Sequence, residues 1–495
     1  MNFKFSLKYY QLSLFFVWFI FLSRAVYLMI VTDRSFIFFE LILSAVITQL
    51  SVGSFLHTAY KYKMVRFINV FKIAAFVYLN LNYLSIADNI DSAENSFFQF
   101  YFINPDYVIR SLLTIIIGML ALDFADLLFR LKLKKLSLIK SRITFSATSN
   151  LVLKRKNLFI IISYIYLFIL IVMVATGISG YADSVENIEG AALGPFSAVL
   201  QFYGFLAPMI ILSYLAVVFL NKDKDLRFNR YFKIFFILYI FSTLYAGSKG
   251  PVIIICIQLL LFYLAAGNKF PKVIVLVAIP IVLLVFPVVT QYRDQLRTDT
   301  GKSRLELLGN AVNSTITGSE KKSESNESTG KALNSRLSMF NIFVYSVENE
   351  QLWTEYKHMD RYPYLPVSFV PRQLIPSKPT SDIGAKLNYM VLGLLGSSVT
   401  PTTFGWAYFE GGEVYVFISF FLLGCFLSYI QYYLPTKTPF YFVYSLVTLF
   451  NMITVENDIY FMIAGQLISI FVCLVFVKIF FKNERKDVTE LVYEY

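Results

Sequence analysis

The chain has 495 residues, 57% of them hydrophobic and 15% charged, with a formal net charge of +12. Globular domains carry more charge and fewer apolar residues, and the apolar residues here fall in blocks about twenty long, enough helix to cross roughly 30 Å of hydrocarbon. Composition therefore argues against a soluble multidomain protein, and it also argues against nucleic-acid binding, because the lysines and arginines sit in short clusters between apolar blocks, where they orient a membrane protein.

Basic residues precede the first block, as in a signal peptide, but the block is long and no small-residue cleavage site follows, so it reads as a membrane helix. In chain order the blocks predict spans at 10–31, 36–57, 67–87, 107–130, 158–178, 196–220, 232–247, 251–267, 273–290, 413–433, 439–455 and 460–481. The expectation is an all-α, polytopic bundle of about twelve transmembrane helices. The two spans flanking Ala246 to Pro251 also read as one broken hairpin.

Short loops rich in lysine and arginine stay in the cytoplasm. The linker from Leu131 to Asn157, with Lys132, Lys134, Lys135, Arg142 and Lys154, is placed there. The stretches 61–66, 221–233 and 268–272 and the tail from Lys482 then fall on the same side. Acidic stretches 88–106 and 181–195 fall opposite, and both termini are expected in the cytoplasm. Three regions follow: a nine-helix part (1–290), one long extracytoplasmic loop (291–412), and a three-helix part with a tail (413–495). No internal repeat is visible, and the long loop sits towards the C-terminal side, against a transporter of two equal halves.

Within the loop, Asn310 to Ser335 is rich in Ser, Asn, Glu and Lys and reads as flexible. Leu337, Phe340, Val344 and Val347 recur at helical spacing. That helix is expected either at the water-lipid boundary, where Trp353 and Tyr356 suit it, or packed on the bundle. From Phe369 to Gly412, Pro371, Pro376 and Pro379 lack amide donors and restrict their neighbours. Such backbone lies outside the bilayer or lines a cavity, and we read it as the wall of a polar site.

Nucleotide, metalloprotease and nucleophile-elbow signatures are absent. The three cysteines, Cys256, Cys425 and Cys473, lie in apolar blocks, so neither a disulfide framework nor a metal site is expected, and no cofactor is indicated. What stands out is a set of cations in the long loop. Arg293 and Arg297 are four apart, so on a continuing helix they share a face, and two forked guanidiniums suit a diphosphate. Arg372 and Lys378 bracket the proline-bound turn, which holds them rigidly. Arg304, Arg336, Arg361 and Lys386 are less distinctive.

Candidate bases are His358, beside Asp360 and Arg361, together with Asp382 and Glu410. His57 reads as structural, and Glu413 as favouring the start of the tenth helix. Arg24 and Arg110, inside helices, call for a partner, a cavity or a nearby helix end. Asp123 and Asp126 are expected to meet water or nearby basic residues.

The layout, together with Phe369 to Pro379 (FVPRQLIPSKP) and Thr400 to Gly412 (TPTTFGWAYFEGG), resembles the Wzy-type polysaccharide polymerases. The layout covers nearly the whole chain, whereas the motifs fall within some forty residues. The resemblance implies a metal-independent glycosyltransferase with a GT-C-like bundle, which polymerises undecaprenyl-diphosphate-linked oligosaccharide units of O-antigen or capsule at the outer face of a bacterial inner membrane. Its partners would be that lipid-linked oligosaccharide and membrane lipid, with room for a chain-length regulator. Arg372 falls in the family-like PR turn and is assigned to the donor diphosphate. A lipid-linked oligosaccharide flippase and an O-antigen ligase are the competing readings.

Overall fold

The computed structural model describes residues 7–32, 35–62, 66–86, 105–135, 153–175, 196–220, 226–247, 303–317, 339–350, 360–368, 400–433 and 457–481, with scattered positions between 255 and 296, 370 and 387, and 444 and 455. Among the described residues the architecture is helical, with a single isolated bridge between Leu153 and Phe481. Among the described residues, six helical stretches are long and apolar enough to cross a membrane: Phe36–Thr58, Phe67–Leu84, Pro105–Leu131, Lys156–Ala175, Gly412–Tyr432 and Ile459–Phe480. The chain is thus a membrane protein by the length and composition of its helices. Expected spans 251–267, 273–290 and 439–455 lie largely outside the described residues.

The helices are α1 (Leu7–Thr32), α2 (Ser35–Thr48), α3 (Ser54–Tyr62), α4 (Phe67–Ala75), α5 (Leu81–Ile86), α6 (Pro105–Lys135), α7 (Lys156–Ala175), α8 (Phe196–Leu220) and α9 (Leu226–Tyr245). After them come α10 (Arg304–Thr317), α11 (Met339–Glu348), a 3-10 turn (Tyr362–Val367), α12 (Thr402–Phe409), α13 (Gly412–Tyr433) and α14 (Ile459–Phe480). Wide π turns at Gln49–Gly53 and Phe76–Asn80 join α2 to α3 and α4 to α5. Polar side chains meet across them: Ser44 donates to Asn80 at 2.8 Å, and Asn80 donates to Thr48 at 3.0 Å. In hydrocarbon such bonds join helices, because a polar group has no water to turn to.

The central contact is α6 on α13, with α12 wedged beside them. Small residues allow it. A Cβ on Gly424 of α13 would lie 2.8 Å from Ala125 Cβ and 3.1 Å from Leu122 Cα, and one on Gly118 of α6 would lie 2.7 Å from the Phe404 ring. Phe404 in turn packs 4.3 Å from Phe420, centroid to centroid.

Two clusters of charge mark opposite ends of α6, with Asp126 and Arg110 about 24 Å apart along its axis at 1.5 Å per residue. At the basic end Asp126 pairs with Arg66 at 3.0 Å and Arg130 at 2.9 Å and accepts from the Tyr432 hydroxyl at 2.9 Å. Lys72, fully buried, meets Asp123 at 2.6 Å and the Leu50 carbonyl at 2.9 Å. Asp123 and Asp126 therefore meet basic residues. The backbone at Lys154 joins that at Phe480, drawing the start of α7 and the end of α14 to the same end.

Among the described residues of 291–412, α10, α11 and α12 are helical. Asn310 to Thr317, read as flexible from its polarity, belongs to α10, because Leu307 and Ala311 bury one face against Tyr292 while Ser314 and Thr315 donate to Gln291. Helix α11 matches the expected periodicity, and of the two placements it takes the bundle: Phe340, Val344 and Val347 are buried in the main core.

The glycine at the α6–α13 crossing yields a direct test. Gly424→Ala presses a methyl against backbone and lowers stability in detergent by about 1–3 kcal/mol. Gly309→Ala in α10, with nothing within 4 Å, leaves stability equal or raises it by up to about 1 kcal/mol. Equal melting temperatures for wild type and Gly424→Ala would show that the close approach is not there.

Candidate functional site

The site is built on the junction between α12 and α13. All eight residues of α12 are buried, so this short non-spanning helix is enclosed by protein, the condition under which irregular backbone is tolerated at membrane depth. Thr403 anchors its start, donating its hydroxyl to the carbonyls of Val455 at 2.8 Å and Asn457 at 2.7 Å. Thr402 before it has φ 69°, a left-handed conformation that is rare for a β-branched residue. At the other end Gly412, φ 70°, turns the chain into α13, a conformation glycine adopts at little cost.

Around this junction Tyr408, Glu410 and Glu413 point to two groups of partners. Glu410 faces inward. Its Oε1 accepts from an Arg361 guanidinium nitrogen at 2.5 Å, and the other terminal nitrogen of Arg361 donates to Asp458. Asp458 also caps α14, accepting from the Tyr460 amide at 2.8 Å. The guanidinium lies 6.0 Å from the Tyr460 ring centroid, within cation–π reach. Arg361 opens the 3-10 turn, Glu410 ends α12 and Asp458 starts α14, so three distant segments close on one buried cation.

Two carboxyls share one guanidinium, and Glu410 Oε2 has no hydrogen-bond partner among the described residues. Burial pushes the Glu410 carboxyl up to about 7, with Arg361 opposing that rise and Asp458 adding to it. Burial likewise raises Asp458, against the pull of Arg361. The cluster therefore holds a carboxyl that exchanges its proton near neutral pH.

Glu413 and Tyr408 face a second, half-open group. Arg110 of α6 donates its Nε to Glu413 at 2.6 Å, lies 3.6 Å from Glu350 and sits 5.4 Å from the Tyr408 ring centroid. The Tyr408 hydroxyl donates to Glu350 at 3.2 Å. Glu413 thus occupies the first turn of α13, as expected of it, and is also the partner of Arg110. Arg24, the other intrahelical arginine, donates to the Leu84 carbonyl at 2.8 Å.

A family model matches residues 186–484, more than half of the chain. The chain belongs to the family described as a domain of unknown function, DUF8712. No curated protein and no solved structure matches it. The DUF8712 region contains Arg361, Glu410, Glu413 and Asp458, while Arg110 comes from α6, outside it.

Of the candidates read from sequence, Glu410 stands at the centre of the cluster. Arg293 is buried and donates its Nε to the Gly247 carbonyl at 2.6 Å, beside a Tyr292 to Tyr245 bond at 2.9 Å. Lys378 donates to the carbonyls of Ser368 at 2.6 Å and Val370 at 2.7 Å, and Arg304 to that of Val174 at 3.0 Å. These three secure backbone. His358, Asp382, Arg297 and Arg372 lie outside the described residues. Arg361, read from sequence as less distinctive, and Asp458, not singled out at all, complete the cluster. Asp458 stands directly before an apolar run, the position of a helix cap, and that signal could have found it. Among the described residues no group of three His, Cys, Asp or Glu side chains could hold a metal ion.

Removing the shared cation leaves two carboxyls buried together. Arg361→Ala lowers stability by about 3–5 kcal/mol, and Glu410→Gln with Asp458→Asn in the same chain restores much of it. A raised carboxyl pKa also sets a pH dependence. The stability contributed by neutral Glu410 is complete below its ordinary pKa of 4.5 and is lost as pH rises through about 7. Glu410→Gln removes that slope. Thermal unfolding in detergent across this range, flat for both proteins, would rule out the assignment.

Proposed function

We propose that this protein is an integral-membrane glycosyltransferase that lengthens a polysaccharide from undecaprenyl-diphosphate-linked oligosaccharide units. On this reading about twelve helices surround the site, the region 291–412 lies outside the cytoplasmic membrane, and both termini are cytoplasmic. The observation that carries the proposal is the cluster at the end of Thr400 to Gly412, a stretch that resembles the polymerases. There a carboxyl with a proton affinity near neutral sits at an enclosed turn, and a proton affinity near the working pH suits a general base.

Glycosyl transfer needs two things of the protein. The bond between the sugar anomeric carbon and the donor diphosphate breaks with its electrons leaving on the diphosphate, and cationic groups stabilise the charge that develops there. Arg297 and Arg372 are the proposed ligands for that charge. Arg293 and Lys378, engaged with backbone carbonyls, instead hold the loop in shape. At the same time the acceptor hydroxyl bonds to the anomeric carbon and gives up its proton.

Glu410 is the proposed acceptor of that proton, through Oε2, with Arg361 and Asp458 as positioning residues. Its carboxyl is 1% exposed, so an incoming sugar must part the cover over it. A closed resting site keeps the base from bulk water until substrate enters.

A flippase would carry its cargo's charge through the bundle core. The buried core cations Lys72 and Arg66 are each paired with an aspartate, which favours a structural role for them. Purified protein in vesicles, given only lipid-linked repeat units, separates the readings: a polymerase lengthens them, a ligase needs a separate acceptor, and a flippase only moves them.

Glu410→Gln lowers lengthening by about 10²–10⁴-fold while the protein folds. Because the base works ionised, activity rises with pH through about 7. Asp458→Asn removes a neighbouring negative charge and moves that rise to lower pH. Full activity of Glu410→Gln would remove Glu410 from the chemistry, and no lengthening by wild type would remove the polymerase reading.

A further inference from the structure

A groove of about 940 Å³ runs along the outside of the bundle between α7 and α9. Its walls include Asn157, Ile161, Ile165, Phe168, Tyr231 and Ile234. The interval from Asn157 to Phe168 is about 16 Å of helix, close to half of the roughly 30 Å hydrocarbon core, so the groove is one leaflet deep. Helix α7 is the least covered of the six spanning stretches: 28% of its span is buried, against 44–61% for the others. Of the polar side chains in the walls, Tyr164 is already engaged, its hydroxyl donating to the Tyr231 carbonyl at 3.0 Å.

The two ends of the groove differ. Arg155, just before α7, and Arg230 and Lys233, within the first two turns of α9, are exposed. The flanking stretches, 153–157 and 226–234, contain no acidic residue. The far end is apolar. We infer that the groove binds one anionic phospholipid of the bilayer, its acyl chain lying along α7 and its phosphate held by Arg155 and Arg230. Basic pockets between membrane helices hold such headgroups, and a groove with cations at one end only matches a molecule charged at one end only. A second copy of the chain fits poorly, because a two-fold contact through this face would bring the same basic patch against itself. This site lies at the basic end of the bundle, away from Glu410, and stands whether or not the chain is a polymerase.

The test uses the full-length protein in phosphatidylcholine vesicles holding a minor fraction of either phosphatidylglycerol or phosphatidylcholine with a photoactivatable acyl chain. Peptides of α7 and α9 should take up the phosphatidylglycerol probe more strongly, about fivefold for each cation engaged, while the outer face of α1 around Phe15 and Phe19 shows no preference. Arg155→Gln with Arg230→Gln should abolish the preference without changing the melting temperature. The inference is overturned if both probes label the groove equally, if the groove is labelled no more than α1, or if cross-links between two copies through α7 and α9 replace those to lipid.

Discussion

A guanidinium buried beside two carboxyls explains why residues 360–368 and the end of α12 lie against the start of α14. Arg361 precedes Asp458 by 97 positions and Glu410 by 49, and none of the three can be left alone in a dry interior without a penalty of several kcal/mol. Once Arg361 is enclosed, the 3-10 turn must lie on the start of α14, and the end of α12 must lie on both. The rest of α12 is then fixed, because Thr403 already binds the backbone before α14. One ionic contact thus orders segments whose own helical propensities are weak.

That order has a steric side. Helix α12 fits between α6, α11 and α14 because positions that would crowd it are glycine: Gly118 faces Phe404, and Gly405 lies where a Cβ would be 2.4 Å from Pro401. Left-handed backbone opens α12 at Thr402 and follows it at Gly412. Backbone held this tightly cannot relax when a neighbouring charge changes. A proton lost or gained at Glu410 is therefore felt as altered electrostatics at a fixed place, the circumstance in which a preorganised group acts most strongly.

Much of the helical architecture was legible in the sequence because lipid imposes a simple rule: about twenty apolar residues, with charge kept to the ends. Helix α11 was legible too, since Phe340, Val344 and Val347 repeat at the helical period. Helix α10 was not, because its buried face is small, Leu307 and Ala311, and polarity dominates its sequence. The candidate site was legible only in part. Glu410 stood out within a distinctive stretch, whereas Arg361 looked like any loop arginine, and no local pattern joins it to Asp458. Partnership across 97 residues is a property of the fold. Arg293, read from its spacing with Arg297 on a continuing helix, and Lys378, read from a proline-bound turn, meet backbone carbonyls that no local pattern announces.

The two ends of α6 are built on opposite electrostatic plans. At the basic end Asp126 is shared by Arg66 and Arg130, so cations outnumber the carboxylate and the surplus is positive. At the other end Arg361 is shared by Glu410 and Asp458, and Arg110 by Glu350 and Glu413. There the carboxyls outnumber the cations. An excess of buried carboxyl is relieved most cheaply by a proton, which is why Glu410, and not an arginine, is the group whose charge is adjustable near neutral pH. On the proposed function, anion binding would therefore fall to the basic end or to cations beyond these clusters, and proton transfer to the junction of α12 and α13.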